Sequence, residues 1–390
     1  MKFAKTRLPG AVMLSVLAWT ALSAESCQSQ TPSGVVPDHG TAHLVPVVQF
    51  KVRGQLDAAA ARTSIVYEGN SVYLTLPDSL LRGTAPLGPA SQLQPIFTPA
   101  SRVIERMYDY DHILYVVARP REDSADHALF RSADGGRTFL PIDAGLLECT
   151  AGRCTRLQST QLLARAGLLY VNAGGGRNLL VSANGGTSYE ALSGEVGSIA
   201  CYHGTFALIG RTALLGGECG LDQAYLERGI LSANGHGVAS AFKPVKSPSL
   251  SNRKVSVIAN DPDTPPATPP LVLAGAEGAL LRSTDGGVSF QYVIQYFDEQ
   301  GIYPYVGQIL FPRVRSDLIL IGGFDKAGFK PFLAYGTRDG RKWADISYLL
   351  GSSGDNAVTD LAEDSSGRLL VVAANEAARR ISIYEVNIGP

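Results

Sequence analysis

Apolar residues in this chain gather in short runs, such as ILYVVA at Ile113–Ala118, LLYVNAG at Leu168–Gly174, LVLAGA at Leu271–Ala276 and LILIGG at Leu318–Gly323. Each run ends in a polar or glycine-rich break. Runs of this length, rich in Val, Ile, Leu and Tyr and bounded by Gly, Asp and Asn, predict strands rather than helices. A strand that follows each run leads into a turn whose sequence recurs: SADGGRTF from Ser132, SANGGTSY from Ser182, the weaker SANGHGVASAF from Ser232, STDGGVSF from Ser283 and the shortened TRDGRKW from Thr337. The starting positions lie 50, 50, 51 and 54 residues apart. A degenerate copy precedes them, in which Leu80-Leu81-Arg82-Gly83-Thr84 runs into APLGPASQ instead of the turn.

Four strands in every ~50 residues is the pattern of a propeller blade. The chain holds seven such units, the last beginning near Ala357 and ending one strand short. The segment LVPVVQFKV at Leu44–Val52 has no other partner, so Val47–Phe50 is expected to pair beside Ile381–Tyr384. That pairing closes the ring and removes two sheet edges. The expected fold is all-β: a single seven-bladed β-propeller over residues 44–390, its last blade closed by the N-terminal strand.

The turn itself has a physical rationale. An Asp or Asn side chain accepts hydrogen bonds from its own turn, the glycines permit positive φ, and the closing aromatic packs between sheets. The pattern Ser/Thr-x-Asp/Asn-Gly-Gly-x-Ser/Thr-aromatic resembles the Asp-box (BNR) repeat, found in sialidases, xyloglucan-type glycosidases, sortilin ectodomains and the photosystem II assembly factor. The resemblance covers about Leu44 to Pro390. It implies a propeller whose boxes lie on the face away from the ligand, which makes Asp134, Asn184, Asn234, Asp285 and Asp339 structural. One carboxylate per turn is also too few oxygen ligands for Ca²⁺. No metal or cofactor is expected.

Composition agrees with a turn-rich β protein: 42 glycines and 22 prolines against three methionines in 390 residues. Residues 1–24 have the form of a signal peptide. Lys2, Lys5 and Arg7 precede an apolar stretch, and Ala21-Leu22-Ser23-Ala24 offers small residues for cleavage. Without those three cations the 34 Lys and Arg fall to 31 against 35 Asp and Glu, a net charge of −4. There is no basic field for nucleic acid. Residues 25–43 read as a polar, flexible leader. The expected location is outside the cytoplasm: periplasmic, extracellular or anchored at an outer membrane.

Export permits disulfides. Cys149 and Cys154 close a short loop of four intervening residues and Cys201 and Cys219 span one hairpin, which suggests these two pairs. Cys27 is left over. It is either a free thiol or the acylated cysteine of a lipoprotein, although Glu25 in the preceding Ala-Glu-Ser is unusual for that processing. Such a lipid would be the only membrane contact, and a monomer is expected.

Functional chemistry is less legible. HExxH, GxSxG and P-loop patterns are missing. A sialidase places its first clamp arginine in an Arg-Ile-Pro motif at the first blade; here the position reads Arg62-Thr63-Ser64, without the proline. No catalytic residue is assigned. The loops entering each blade and those between its second and third strands share the face opposite the boxes, and several carry mixed charge and aromatics. Candidates for a ligand or partner face are Arg62, Arg119, Arg121, Glu122, Asp123, Tyr296, Asp298, Glu299, Tyr303, Tyr305, Asp325 and Arg379. Three functional expectations follow. The first is a binding or assembly scaffold taking protein or glycan on that face. The second is a divergent sialidase-like glycoside hydrolase, which by the resemblance would need three arginines on the substrate carboxylate, a Tyr/Glu nucleophile pair and an Asp acid, where an ordinary glycosidase needs two carboxyl groups across its substrate. The third is an assembly factor like the photosystem one, whose arginine-rich face is not evident here.

Overall fold

A computed structural model describes residues 42–52, 63–121, 127–143, 146–150, 153–156, 161–173, 178–192, 202–219, 223–249, 254–265, 268–295, 304–325, 330–351 and 353–389. The expected propeller is present: seven four-stranded antiparallel sheets. Named from the inner strand outward, blade 1 is Ile65–Glu68, Ser71–Leu76, Ser79–Thr84 and Gln94–Phe97. Blade 2 is Arg102–Tyr110, Ile113–Pro120, Ala128–Ser132 and Leu140–Pro141. Blade 3 is Gln161–Arg165, Leu168–Ala173, Asn178–Ser182 and Glu190–Ala191. Blade 4 is Tyr202–Ile209, Thr212–Cys219, Gln223–Leu231 and Val238–Pro244. Blade 5 is Val255–Asn260, Val272–Ala276, Ala279–Ser283 and Gln291–Gln295. Blade 6 is Pro304–Leu310, Leu318–Asp325, Lys330–Thr337 and Trp343–Asp345. Blade 7 is Ala357–Glu363, Leu369–Asn375, Arg380–Ile388 and, outermost, Ala42–Lys51.

Each inner strand lies against the inner strand of the next blade, and blade 7 returns to blade 1. The closing strand pairs as expected, with Val48 opposite Ile383 and Phe50 opposite Ile381. A bulge between Pro46 and Val48 accommodates the proline, which cannot donate to a ladder. A short hairpin, Leu147–Thr150 with Arg153–Arg156, is inserted between blades 2 and 3, and places the backbones of Cys149 and Cys154 opposite each other.

The second strands are apolar on both faces because another sheet covers each side. Leu114–Ala118 and Leu369–Ala374 are buried throughout. The described core accordingly divides into seven clusters, one at each junction between neighbouring blades. At the closing junction, for example, Val72 and Leu74 of blade 1 pack on Leu370, Val372, Ile381 and Ile383 of blade 7.

The repeated turns join third to fourth strands. Asp134 Oδ1 accepts from the Arg137 and Thr138 backbone N–H groups at 3.0 Å and from the Ser132 hydroxyl at 2.8 Å, and Oδ2 accepts from the Thr138 hydroxyl at 2.6 Å. Asp285 repeats this with Val288, Ser289 and Ser283. Asn184 reproduces it with an amide: Oδ1 accepts from Ser182 and the Ser188 N–H, and Nδ2 donates to Ser188 Oγ at 2.8 Å. Asn234 and Asp339 keep only part of the network. Gly136 has φ +84°, a conformation that favours glycine, and a Cβ there would also lie 2.5 Å from Ile96 Cδ1 of blade 1, so that side chain would have to move.

The turns also fasten neighbouring blades. The Arg82 guanidinium of blade 1 donates to the Gly135 carbonyl of blade 2, and the Tyr73 hydroxyl of blade 1 is shared between that carbonyl and Glu68 Oε2. Tyr170 of blade 3 donates to the Gly235 carbonyl of blade 4, and Arg282 of blade 5 to the Asp339 carbonyl of blade 6. Phe139, the turn's aromatic, stacks on Phe97 of blade 1 with centroids 4.4 Å apart.

Candidate interaction face and central channel

Antiparallel pairing puts the first-to-second and third-to-fourth connections on one face, the turn face, and the blade entries and second-to-third connections on the other, the loop face. Of the expected face residues, Arg62, Glu122, Asp123, Tyr296, Asp298, Glu299 and Tyr303 lie outside the described residues, as do Cys27 and Cys201. The rest fall on the loop face of three separate blades. Arg119 of blade 2 is paired with Glu105, Nε to Oε1 3.1 Å, and Glu105 Oε2 lies 3.0 Å from His127 Nε2. Arg121 is exposed beyond them. Tyr305 of blade 6 stacks on Phe324 with centroids 5.2 Å apart, beside the buried Asp325. Arg379 is exposed in the second-to-third turn of blade 7, at φ 51°, and its carbonyl accepts from the Val52 N–H. Cys219, at the end of a blade 4 strand, is disulfide-bonded. Among the described residues no group of three or more His, Cys, Asp or Glu is placed to hold a metal ion.

The inner strands carry a pattern that sequence reasoning missed. Their pairing with the second strands aligns Ser64, Arg106, Gln161, Thr205, Val257, Gln308 and Asp360, one residue from each blade. In five blades the preceding residue is an extra one in a β-bulge: Glu105, Gly204, Ser256, Gly307 and Thr359. Bulges re-aim side chains where a ladder would otherwise fix them. Several residues of this belt bind the backbone of the following blade's inner strand. Ser64 Oγ accepts from the Met107 N–H at 3.5 Å. The Gln161 amide brackets Phe206, accepting from its N–H at 2.7 Å and donating to its carbonyl at 3.0 Å. Gln308 donates to the Thr359 carbonyl at 2.8 Å, and Asp360 Oδ2 accepts from the Ile65 N–H at 2.8 Å.

Burial raises the Asp360 carboxyl to about 6, against the opposing pull of the Ile65 N–H, the nearby Arg106 and the Leu361 N–H. Arg106 lies close to Tyr108, Asp360 and Glu105, and the last two bring carboxylates from blades 7 and 2 toward one guanidinium. Both are engaged elsewhere, Glu105 with Arg119 and His127 and Asp360 with backbone N–H groups.

Two surface depressions lie on the turn face, opposite the face to which the sequence directs attention. One, about 470 Å³, is lined by Thr84–Pro86 and Gly88–Gln92, where blade 1 lacks the repeated turn. The other, about 410 Å³, includes His43, Arg315, Arg368, Glu385 and Ile388, where blade 7 has two chain segments instead of a hairpin. Arg315 caps the Ile388 carbonyl and Arg368 the Leu87 carbonyl, substituting for the inter-blade fastening that the turns supply elsewhere.

No protein-family model matches the chain, and no curated protein matches it in sequence. Among solved structures it is similar to YCF48 from Cyanidioschyzon merolae, at 12% identity and a TM-score of 0.55 over 88% of this chain and 98% of that one. It is similar to YCF48 bound to D1 peptide, at 9% identity and a TM-score of 0.56 over 87% and 95%. A chain of the mitotic checkpoint complex matches at 12% identity and a TM-score of 0.56 over 87% and 94%. At such identities the likeness is one of fold, and that fold is the seven-bladed β-propeller.

Proposed function

We propose that this protein is an exported Asp-box propeller that works as a binding or assembly scaffold, taking a protein or glycan partner on its loop face. The observation that carries the reading is the division of labour between faces. The turn face is committed to structure: Asp134, Asn184 and Asp285 close their own hairpins, and the Gly135, Gly235 and Asp339 carbonyls fasten neighbouring blades. The loop face presents Arg121, Arg379 and the Tyr305–Phe324 stack on a rigid ring. Propellers of the same architecture support a protein partner, since one of the similar structures holds a D1 peptide and another belongs to a checkpoint complex.

Photo-crosslinking tests this. Crosslinkers placed at Arg121 and Arg379 are expected to trap partner material in the source cells, and crosslinkers at Thr187 and Arg341 on the turn face are not. Equal labelling from both faces would count against the assignment. The rival reading, a divergent glycoside hydrolase, draws on the two carboxyl groups near Arg106 and on the raised Asp360. Turnover of a fluorogenic sialoside or β-glucoside that disappears in Asp360→Asn would replace the scaffold reading with the enzymatic one.

A further inference from the structure

Arg106 departs from the rule its neighbours in the belt follow. Ser64, Gln161, Gln308 and Asp360 direct their polar atoms to the next blade's backbone. Among the described residues Arg106 makes no such bond to blade 3. Its guanidinium stands beside the Tyr108 hydroxyl on its own strand, and that hydroxyl is buried without a hydrogen-bond partner of standard geometry. Neither adjacent carboxylate closes an ion pair with it. Glu105 has both oxygens on Arg119 and His127, and Asp360 has both on the N–H groups of Ile65 and Leu361. Arg106 and Asp360 are each partly exposed, on inner strands that ring the channel. A guanidinium carries five donors in a planar fork suited to two parallel bonds to a carboxylate.

We infer that Arg106 forms a carboxylate-binding site inside the central channel, filled by a free organic acid or by an acidic side chain inserted by a partner. The surroundings select single charge. Glu105 and Asp360 already place negative charge near the fork, which disfavours a dianion such as phosphate. The titratable groups facing Arg106 are Glu105 and Tyr108 from its own strand and Asp360 from blade 7. Asp360 takes up a proton as pH falls through about 6, which removes one repulsive charge, so binding strengthens on mild acidification.

The probes are acetate, for a free acid, and the N-acetylated, C-amidated tripeptide Gly-Gly-Glu against its Gly-Gly-Gln counterpart, for a partner's side chain. Binding is read by calorimetry and NMR. Wild type is expected to saturate with acetate, the Glu peptide or both, and not with the Gln peptide. Arg106→Gln should weaken binding at least tenfold while its circular dichroism is preserved, and Arg341→Gln on the turn face should change nothing. Asp360→Asn should tighten binding severalfold at pH 7.5 and have little effect at pH 5. No saturation with either acid, or undiminished binding in Arg106→Gln, overturns the inference. Should Arg106→Gln fail to fold, unchanged affinity in Asp360→Asn overturns it instead. Acetate binding without peptide binding supports the site for free acids and separates it from the partner-binding reading of the loop face.

Discussion

The Arg82 guanidinium of blade 1 donates to the Gly135 carbonyl of blade 2 at 3.2 Å, and the Tyr73 hydroxyl is shared between that oxygen at 3.3 Å and Glu68 Oε2 of its own blade at 3.1 Å. The repeated turn is therefore a receptor for the preceding blade as well as a closure for its own hairpin. Removing either donor leaves a carbonyl less satisfied at a sheet junction. Tyr73→Phe should cost about 1 kcal/mol of stability. In urea this appears as a lower midpoint with an unchanged slope; an unshifted midpoint would show that the contact contributes nothing.

Asp285 and Asn184 fill the same role with different charge. Burial opposes ionisation of Asp285, but hydrogen bonds from Ser283, Ser289 and Val288 prevail and hold its carboxyl below the ordinary range. Asp285→Ala should destabilise by about 1–2 kcal/mol at neutral pH, and Asp285→Asn much less, because Asn184 shows that an amide can serve. The lowered group gives its stabilisation above its unfolded value and loses it as pH falls through the folded one. The wild-type advantage over Asp285→Ala should therefore shrink below about pH 4. An advantage independent of pH would exclude the charge as its source.

Asp360 has the opposite sign. Burial raises it to about 6, so its favourable contribution is complete below the unfolded value near 3.9 and is lost as pH rises through about 6. Asp360→Asn should leave stability unchanged near pH 4 and raise it above pH 7 by on the order of 1–3 kcal/mol. Parallel denaturation curves for the two proteins across this range would contradict the assignment.

The backbones of Cys149 and Cys154 pair across the inserted hairpin, and Cys219 is already in a disulfide. Peptide mapping of the unreduced protein should recover the linked pairs Cys149–Cys154 and Cys201–Cys219, with Cys27 alkylated or carrying lipid. Recovery of Cys149 as a free thiol would remove the first pair.

The fold was readable because its ruler is made of chemistry that tolerates little substitution. Ser132, Ser182, Ser232, Ser283 and Thr337 mark the blade interval, and an Asp or Asn two residues later marks the turn. The closing strand followed from counting, since Leu44–Val52 had no other partner. The channel belt was not readable. Gln161, Gln308 and Asp360 look like ordinary polar positions of alternating strands, and the bulges at Glu105 and Thr359 shift the very alternation by which a sequence is read. The inter-blade role of Arg82 was equally hidden, because its acceptor is a backbone carbonyl 53 residues away. The depressions arise from turns that are missing, at Thr84–Gln92 and at Ile388 with His43, and a motif search finds only turns that are there.

The closing strand also sets how the ring responds to force. Ala42 lies opposite Ile388 at one end of the ladder and Lys51 opposite Arg380 at the other. A load pulling Ala42 away from Ile388 therefore falls on the outermost hydrogen-bonded pair first and peels the ladder rung by rung, instead of shearing all rungs together. The joint that makes the ring continuous thus meets such a load one rung at a time, beginning at Ala42 and Ile388.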